Sequence, residues 1–118
     1  MELDTARHIV DQYLACWNEP RPDHRLDLVA ATWTEDARSV DPLADVSGHE
    51  EISSMMSAVQ AQLSGHQFRL VGDVNAHHDV IRWSWAMSAP DGGTVVAGTD
   101  AAVVIDGRIA LLTGFFDS

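Results

Sequence analysis

Residues 67–116 read QFRLVGDVNAHHDVIRWSWAMSAPDGGTVVAGTDAAVVIDGRIALLTGFF. Four β-rich runs stand out in this stretch: Gln67–Val74, Val80–Ser88, Thr94–Ile105 and Arg108–Phe116. The connections Asn75-Ala76-His77-His78-Asp79, Pro90-Asp91-Gly92-Gly93 and Asp106-Gly107 are short, which predicts antiparallel hairpins between successive strands. Side chains alternate along a strand, so Val96, Gly98, Asp100, Ala102 and Val104 share one face. That face is otherwise small and apolar, and a carboxyl buried in it must be protonated or paired. Asp100 is therefore the most conspicuous acid of this half. Its structural alternative is a carboxylate paired with a neighbour such as Arg82 or with a helix dipole.

Upstream of the strands the hydrophobic period changes to that of helices. Ile9, Val10, Tyr13, Leu14 and Trp17 recur at spacings of three and four, which predicts an amphipathic helix over 3–17. Pro20 and Pro22 end it, and Asp23 offers an N-cap for a second helix over 24–33, with Leu26, Val29, Ala30 and Trp33 facing in. A turn at Thr34-Glu35-Asp36 leads to a short strand over 37–41, which Pro42 ends by removing a backbone donor. Ser47 and Glu50 have the capping-box spacing for a third helix carrying Ile52, Met55, Met56, Val59 and Leu63 inward, closed by Gly65. The order is α-α-β-α-β-β-β-β, an α+β domain.

The chain has 118 residues, 46% of them hydrophobic, which suits one globular domain. A domain this small pays for any internal cavity with core it can hardly spare, and pairing with a second copy would offset that, so a homodimer is expected. The formal charge of -11 repels phosphate backbones and anionic lipid, so neither nucleic acid nor a membrane is an expected partner. Cys16 alone cannot form an internal disulfide, and the first residues lack the basic start and apolar run of a secretory signal, so a cytoplasmic location is expected. No phosphate loop, nucleophile elbow or Cys/His cluster is present, and neither a cofactor nor a metal is expected. His77 and His78 fall in a hairpin connection and read as turn residues.

Several separate stretches carry a resemblance: Tyr13-Leu14-Ala15-Cys16-Trp17-Asn18, Trp33-Thr34-Glu35-Asp36-Ala37, Val40-Asp41-Pro42-Leu43, Gly48-His49-Glu50-Glu51-Ile52, Ala97-Gly98-Thr99-Asp100 and Thr113-Gly114-Phe115-Phe116. In this order they resemble the SnoaL-like branch of the nuclear-transport-factor-2-like superfamily. The resemblance implies three helices packed on a strongly curved antiparallel sheet, a cone-shaped, cystatin-like roll enclosing a pocket. It covers nearly the whole chain. The superfamily holds isomerases, dehydratases, cyclases, epoxide hydrolases and non-enzymatic binding domains, so the fold alone does not name an activity.

Three positions further resemble the ketosteroid isomerases, in which an aspartate base works opposite a tyrosine and a protonated aspartic acid, a pairing well known for that family. The resemblance assigns Asp41 as general base, and Tyr13 and Asp100 as donors to an oxyanion. Moving a proton next to a carbonyl needs such a set: a base near the carbon and donors that hold charge on oxygen while the enolate exists. On this reading the substrate is a small apolar carbonyl compound, turned over by isomerase or lyase chemistry without a cofactor. Trp33, Met55, Met56, Val59, Trp83, Trp85 and Phe116 are the expected wall of its pocket.

Other readings stay open. Asp41 can cap the turn at Pro42, Tyr13 can be a packed core residue, and Trp83 and Trp85 can be plain core. The chain would then be a non-catalytic small-molecule-binding or dimerisation module. A further alternative is an epoxide hydrolase or polyketide-cyclase-like enzyme using Arg82 and Asp100.

Overall fold

The computed structural model describes residues 1–117. Three helices come from the N-terminal half: α1 (Leu3–Asn18), α2 (Pro22–Thr32) and α3 (His49–Gln62). Six strands follow or interrupt them: β1 (Trp33–Val40), β2 (Asp45–Ser47), β3 (Gln67–His77), β4 (Val80–Ser88), β5 (Thr94–Ile105) and β6 (Arg108–Phe116). The sheet runs in the order β2-β1-β6-β5-β4-β3. Its pairings are antiparallel except that of β1 with β6, which is parallel, so the sheet is mixed and open. The parallel pair joins elements far apart in sequence, and no hairpin signal could announce it.

α1 presents its predicted stripe, burying Ile9, Val10, Tyr13, Leu14 and Trp17. Its last residue docks it onto the sheet: the Asn18 side chain donates to the Phe68 carbonyl (2.9 Å) and accepts from the Phe68 amide (2.8 Å). α2 begins at Pro22, where a missing N–H costs nothing, rather than at an Asp23 cap. It buries Val29 as its apolar spacing predicts, but with Arg25 and Thr32 inward and Leu26 turned out. Leu26 is exposed and Arg25 is 1% exposed. The Arg25 guanidinium donates to the Ser57 hydroxyl, the Gln60 side chain and the Glu19 carbonyl, and Gln60 in turn donates to the Trp17 carbonyl. Arg25 thus ties the C-terminal end of α1 to α3, where helix carbonyls favour a cation.

Trp33 opens β1 instead of closing α2, and the chain stays extended through 34–36 in place of the expected turn. β2, which the sequence does not suggest, is held beside β1 by Arg38, whose Nε and Nη2 bond both oxygens of Asp45 at 2.9 and 2.8 Å. The third helix starts from Gly48 at φ +82, with the Ser47 amide donating to Glu51 (3.1 Å) in place of the Ser47–Glu50 box. Gly65, at φ +78, follows its end. The hairpin between β3 and β4 is tighter than expected, because β3 continues to His77 and only His78 and Asp79 turn.

Pairing registers slip in β1, β3, β5 and β6, most widely between Trp33 and Arg38 of β1, and again between Val71 and Asn75 of β3, around Gly72 at φ +72. Such bulges bend and twist a strand, and here they let one face of the sheet close around the helices. On that face Trp83, Asp100 and Gly114 stand in one row across β4, β5 and β6, and Trp85, Gly98 and Phe116 in the next.

Candidate functional site

Between α1, α3 and the concave face of the sheet lies a cavity of about 450 Å³. α1 contributes Tyr13 and Trp17, and α3 contributes Met55, Ala58 and Val59, with Leu63 just beyond it. The sheet contributes Phe68, Trp85, Met87, Val96, Asp100, Leu112, Gly114 and Phe116, and the loop after β1 contributes Asp41, Leu43 and Ala44. Leu43 (77% exposed) and Val95 mark the mouth. Among the described residues lining it, Asp41 and Asp100 are the acids and none carries a positive charge.

Asp100 sits on the apolar face of β5 as alternation predicts, and is 4% exposed. Burial pushes its carboxyl up to about 7, with the nearby Asp41 carboxylate adding to the rise. The Trp85 indole and the Tyr13 hydroxyl stand against the carboxyl and moderate the effect. The Trp85 indole nitrogen is nonetheless buried without a partner in hydrogen-bonding geometry. Arg82 is not a partner of Asp100. Register pairs Asp100 with Trp83 and Arg82 with Ala101, which puts Arg82 on the opposite face, bonded to Asn75 (3.0 Å). That geometry removes the route through Arg82 and Asp100 to an epoxide hydrolase or cyclase.

Tyr13 projects from α1 with its ring packed against Trp33 (centroids 5.9 Å apart) and edge-on to Trp83 (5.2 Å). Burial, and then the Asp100 carboxyl, push its hydroxyl well above the usual phenol range, so it stays protonated. Asp41 lies at the end of β1, half-buried. Its Oδ1 accepts from the Leu43 amide (2.8 Å) and the Ala44 amide (2.9 Å), so it closes the turn at Pro42 and lines the cavity at once. The two acids are neighbours across β6. A Cβ on Gly114 would lie 2.7 Å from Asp100 Oδ1 and 3.3 Å from Asp41 Cβ.

Of the expected pocket wall, Met55, Val59, Trp85 and Phe116 line the cavity. Trp33, Met56 and Trp83 do not; all three are fully buried in the core, Trp33 and Trp83 packed against the Tyr13 ring, which itself lines the cavity. Trp17, Leu43, Phe68 and Gly114 are lining residues that sequence reasoning passes over. Trp17 is visible on the helical stripe, and Phe68 on the same-face alternation of its strand. Cys16, bonded to Thr32 (3.6 Å), has its thiol pushed up to about 11 by burial and is not a nucleophile. Among the described residues no three His, Cys, Asp or Glu side chains cluster as metal ligands. No described helix is long and apolar enough to cross a membrane.

The comparisons with known proteins agree with this architecture. Residues 10–112 match the SnoaL-like domain. The chain belongs to the SnoaL-like family. A candidate isomerase of the SnoaL-like family from Agrobacterium tumefaciens is 36% identical, with a TM-score of 0.94 over 98% of this chain and 99% of that one. At the level of fold alone, the chain is also similar to a candidate ketosteroid isomerase from Kribbella flavida (18% identity, TM-score 0.74, 98% and 80% of the two chains). A candidate SnoaL-like polyketide cyclase from Jannaschia is comparable (18%, 0.72, 92% and 85%). Among curated proteins no relative matches.

Proposed function

We propose that this SnoaL-like protein performs acid–base chemistry of the isomerase or lyase type on a small, neutral, apolar carbonyl compound, without a cofactor. One observation carries the reading: Asp41, Asp100 and Tyr13 meet in a single apolar cavity that has no cation among its described lining. An anionic substrate would meet two carboxyls and no counter-charge there, so a neutral one fits.

In the proposed cycle the carbonyl oxygen accepts from the Tyr13 hydroxyl and from the Asp100 carboxyl in its protonated form. Asp41 takes a proton from the carbon next to the carbonyl, and the electron pair of that C–H bond moves into a C=C bond as the carbonyl becomes an enolate. The two donors hold the oxygen's charge. Asp41 then returns its proton at a second carbon, which isomerises the compound, or the enolate expels a leaving group, which makes the enzyme a lyase.

Asp41→Asn separates chemistry from structure, because an amide oxygen still accepts from Leu43 and Ala44 while the base is gone. Incubated in D₂O with a panel of neutral cyclic enones, the native protein should exchange protons next to the carbonyl, and the variant should do so about 10²–10⁴-fold more slowly. Native protein no faster than buffer, or a variant as fast as native, rejects the reading in favour of a binding module.

The same proposal includes a homodimer. Val71, Ile105 and Phe115 remain exposed on the strands, and a second copy would cover apolar surface of this kind. Sedimentation equilibrium should give twice the chain mass, and a monomer at micromolar concentration counts against it.

A further inference from the structure

We infer that Gly114 is a positioning residue: its missing side chain is the notch into which the Asp100 carboxyl settles beside Asp41. Gly114 lies within β6, directly across from Asp100 on β5. Its φ is outside the left-handed region, so no turn requires a glycine there. A glycine in a strand interior weakens the strand and packs nothing, so its presence needs another reason. The reason is contact. An added Cβ would sit 2.7 Å from Asp100 Oδ1, closer than real Cβ atoms come, and 3.3 Å from Asp41 Cβ, which is tight.

The first of those contacts is with the end of a short flexible side chain and the second is with a carbon fixed by the turn at Pro42. The carboxyl of Asp100 is therefore what must move. β5 and β6 are paired beneath it, and Trp85 and Tyr13 stand against it, so its way out is the cavity. In that position it regains water and leaves the place from which it would donate to a carbonyl oxygen. Gly98, two residues before Asp100 on β5, works differently. Its notch meets the Trp85 ring (2.7 Å) and the Phe115 carbonyl, so it seats the indole that stands against Asp100 and not the carboxyl itself.

The catalytic consequence rests on the acid–base reading of the cavity, but the positioning role does not, and the test keeps them apart. Carboxyl-carbon NMR of the whole chain follows the titration of Asp100 with no substrate present; the titratable groups facing it are Asp41 from the end of β1 and Tyr13 from α1. In Gly114→Ala the Asp100 midpoint should fall by about one pH unit, towards an ordinary aspartate. If Gly114→Ala does not fold, adding Asp100→Ala, which removes the colliding carboxyl, should restore folding. An unchanged or raised midpoint in a folded Gly114→Ala variant overturns the inference, and so does a double variant that still fails to fold. Should the midpoint fall as expected while Asp41→Asn leaves proton exchange untouched, the positioning role stands and the acid–base function fails.

Discussion

Arg25 and Asp100 are both buried and both ionisable, yet the fold treats them in opposite ways. Arg25, at the meeting of the three helices, has a hydroxyl, a side-chain amide and a helix-end carbonyl around it. Asp100, under the cavity, has no cation beside it and faces a second acid, so burial displaces its titration instead of being compensated. A buried charge whose two terminal nitrogens are bonded to neighbouring elements holds those elements together, although the Arg25 Nε has no partner. A carboxyl left short of partners costs stability, and a cost of that kind concentrates where chemistry uses it.

The largest expected effect sharpens that contrast. Asp100 titrates near 7 in the folded chain against an ordinary value of 3.8. As pH rises from about 4 to about 7 the unfolded chain gives up this proton and the folded chain keeps it, so stability falls across that window and levels off above it. Asp100→Asn cannot titrate. Urea unfolding should show the variant gaining on the native protein between pH 4 and pH 8 by on the order of 4 kcal/mol; a constant difference would place Asp100 with Arg25 among the compensated charges. Next in size, Arg25→Met should destabilise by about 3 kcal/mol at either pH, because Ser57, Gln60 and the Glu19 carbonyl lose their donor. A loss below about 1 kcal/mol would break the comparison from the other side. The smallest effect is in turnover: if the protonated form of Asp100 is the donor, proton exchange should decline about tenfold per pH unit above 7, and Asp100→Asn should flatten that limb. A native profile flat to pH 9 removes Asp100 from the donor role.

Much of this is legible in the sequence because it rests on local periodicity. The stripe of α1 puts Tyr13 and Trp17 inward, and period-two alternation in β5 puts Asp100 on the buried face without any structure. The hairpin turn at Asp106-Gly107, both at positive φ, follows from residue type. What escapes depends on non-local packing. Arg25 takes the inward position that Leu26 should have held because Ser57 and Gln60, more than thirty residues away, supply its partners. Trp33, Met56 and Trp83 read as wall because hydrophobicity marks the interior, but not which interior residues border empty space. Gly98 and Gly114 are only letters in a strand, since the shape of a missing side chain emerges only when its neighbours are in place.

The turn at Asp41 has a consequence for how such sites change over evolutionary time. Oδ1 of Asp41 holds the loop after β1 through two backbone amides whether or not any substrate is ever turned over. If the proposed chemistry holds, a descendant that lost it would be expected to keep Asp41 for its loop, while Asp100 would be free to drift to an uncharged residue and gain stability by doing so. In a gene tree of such proteins, the retention of an acid at the position of Asp100 would mark the lineages still under selection for chemistry, and the acid at the position of Asp41 would not.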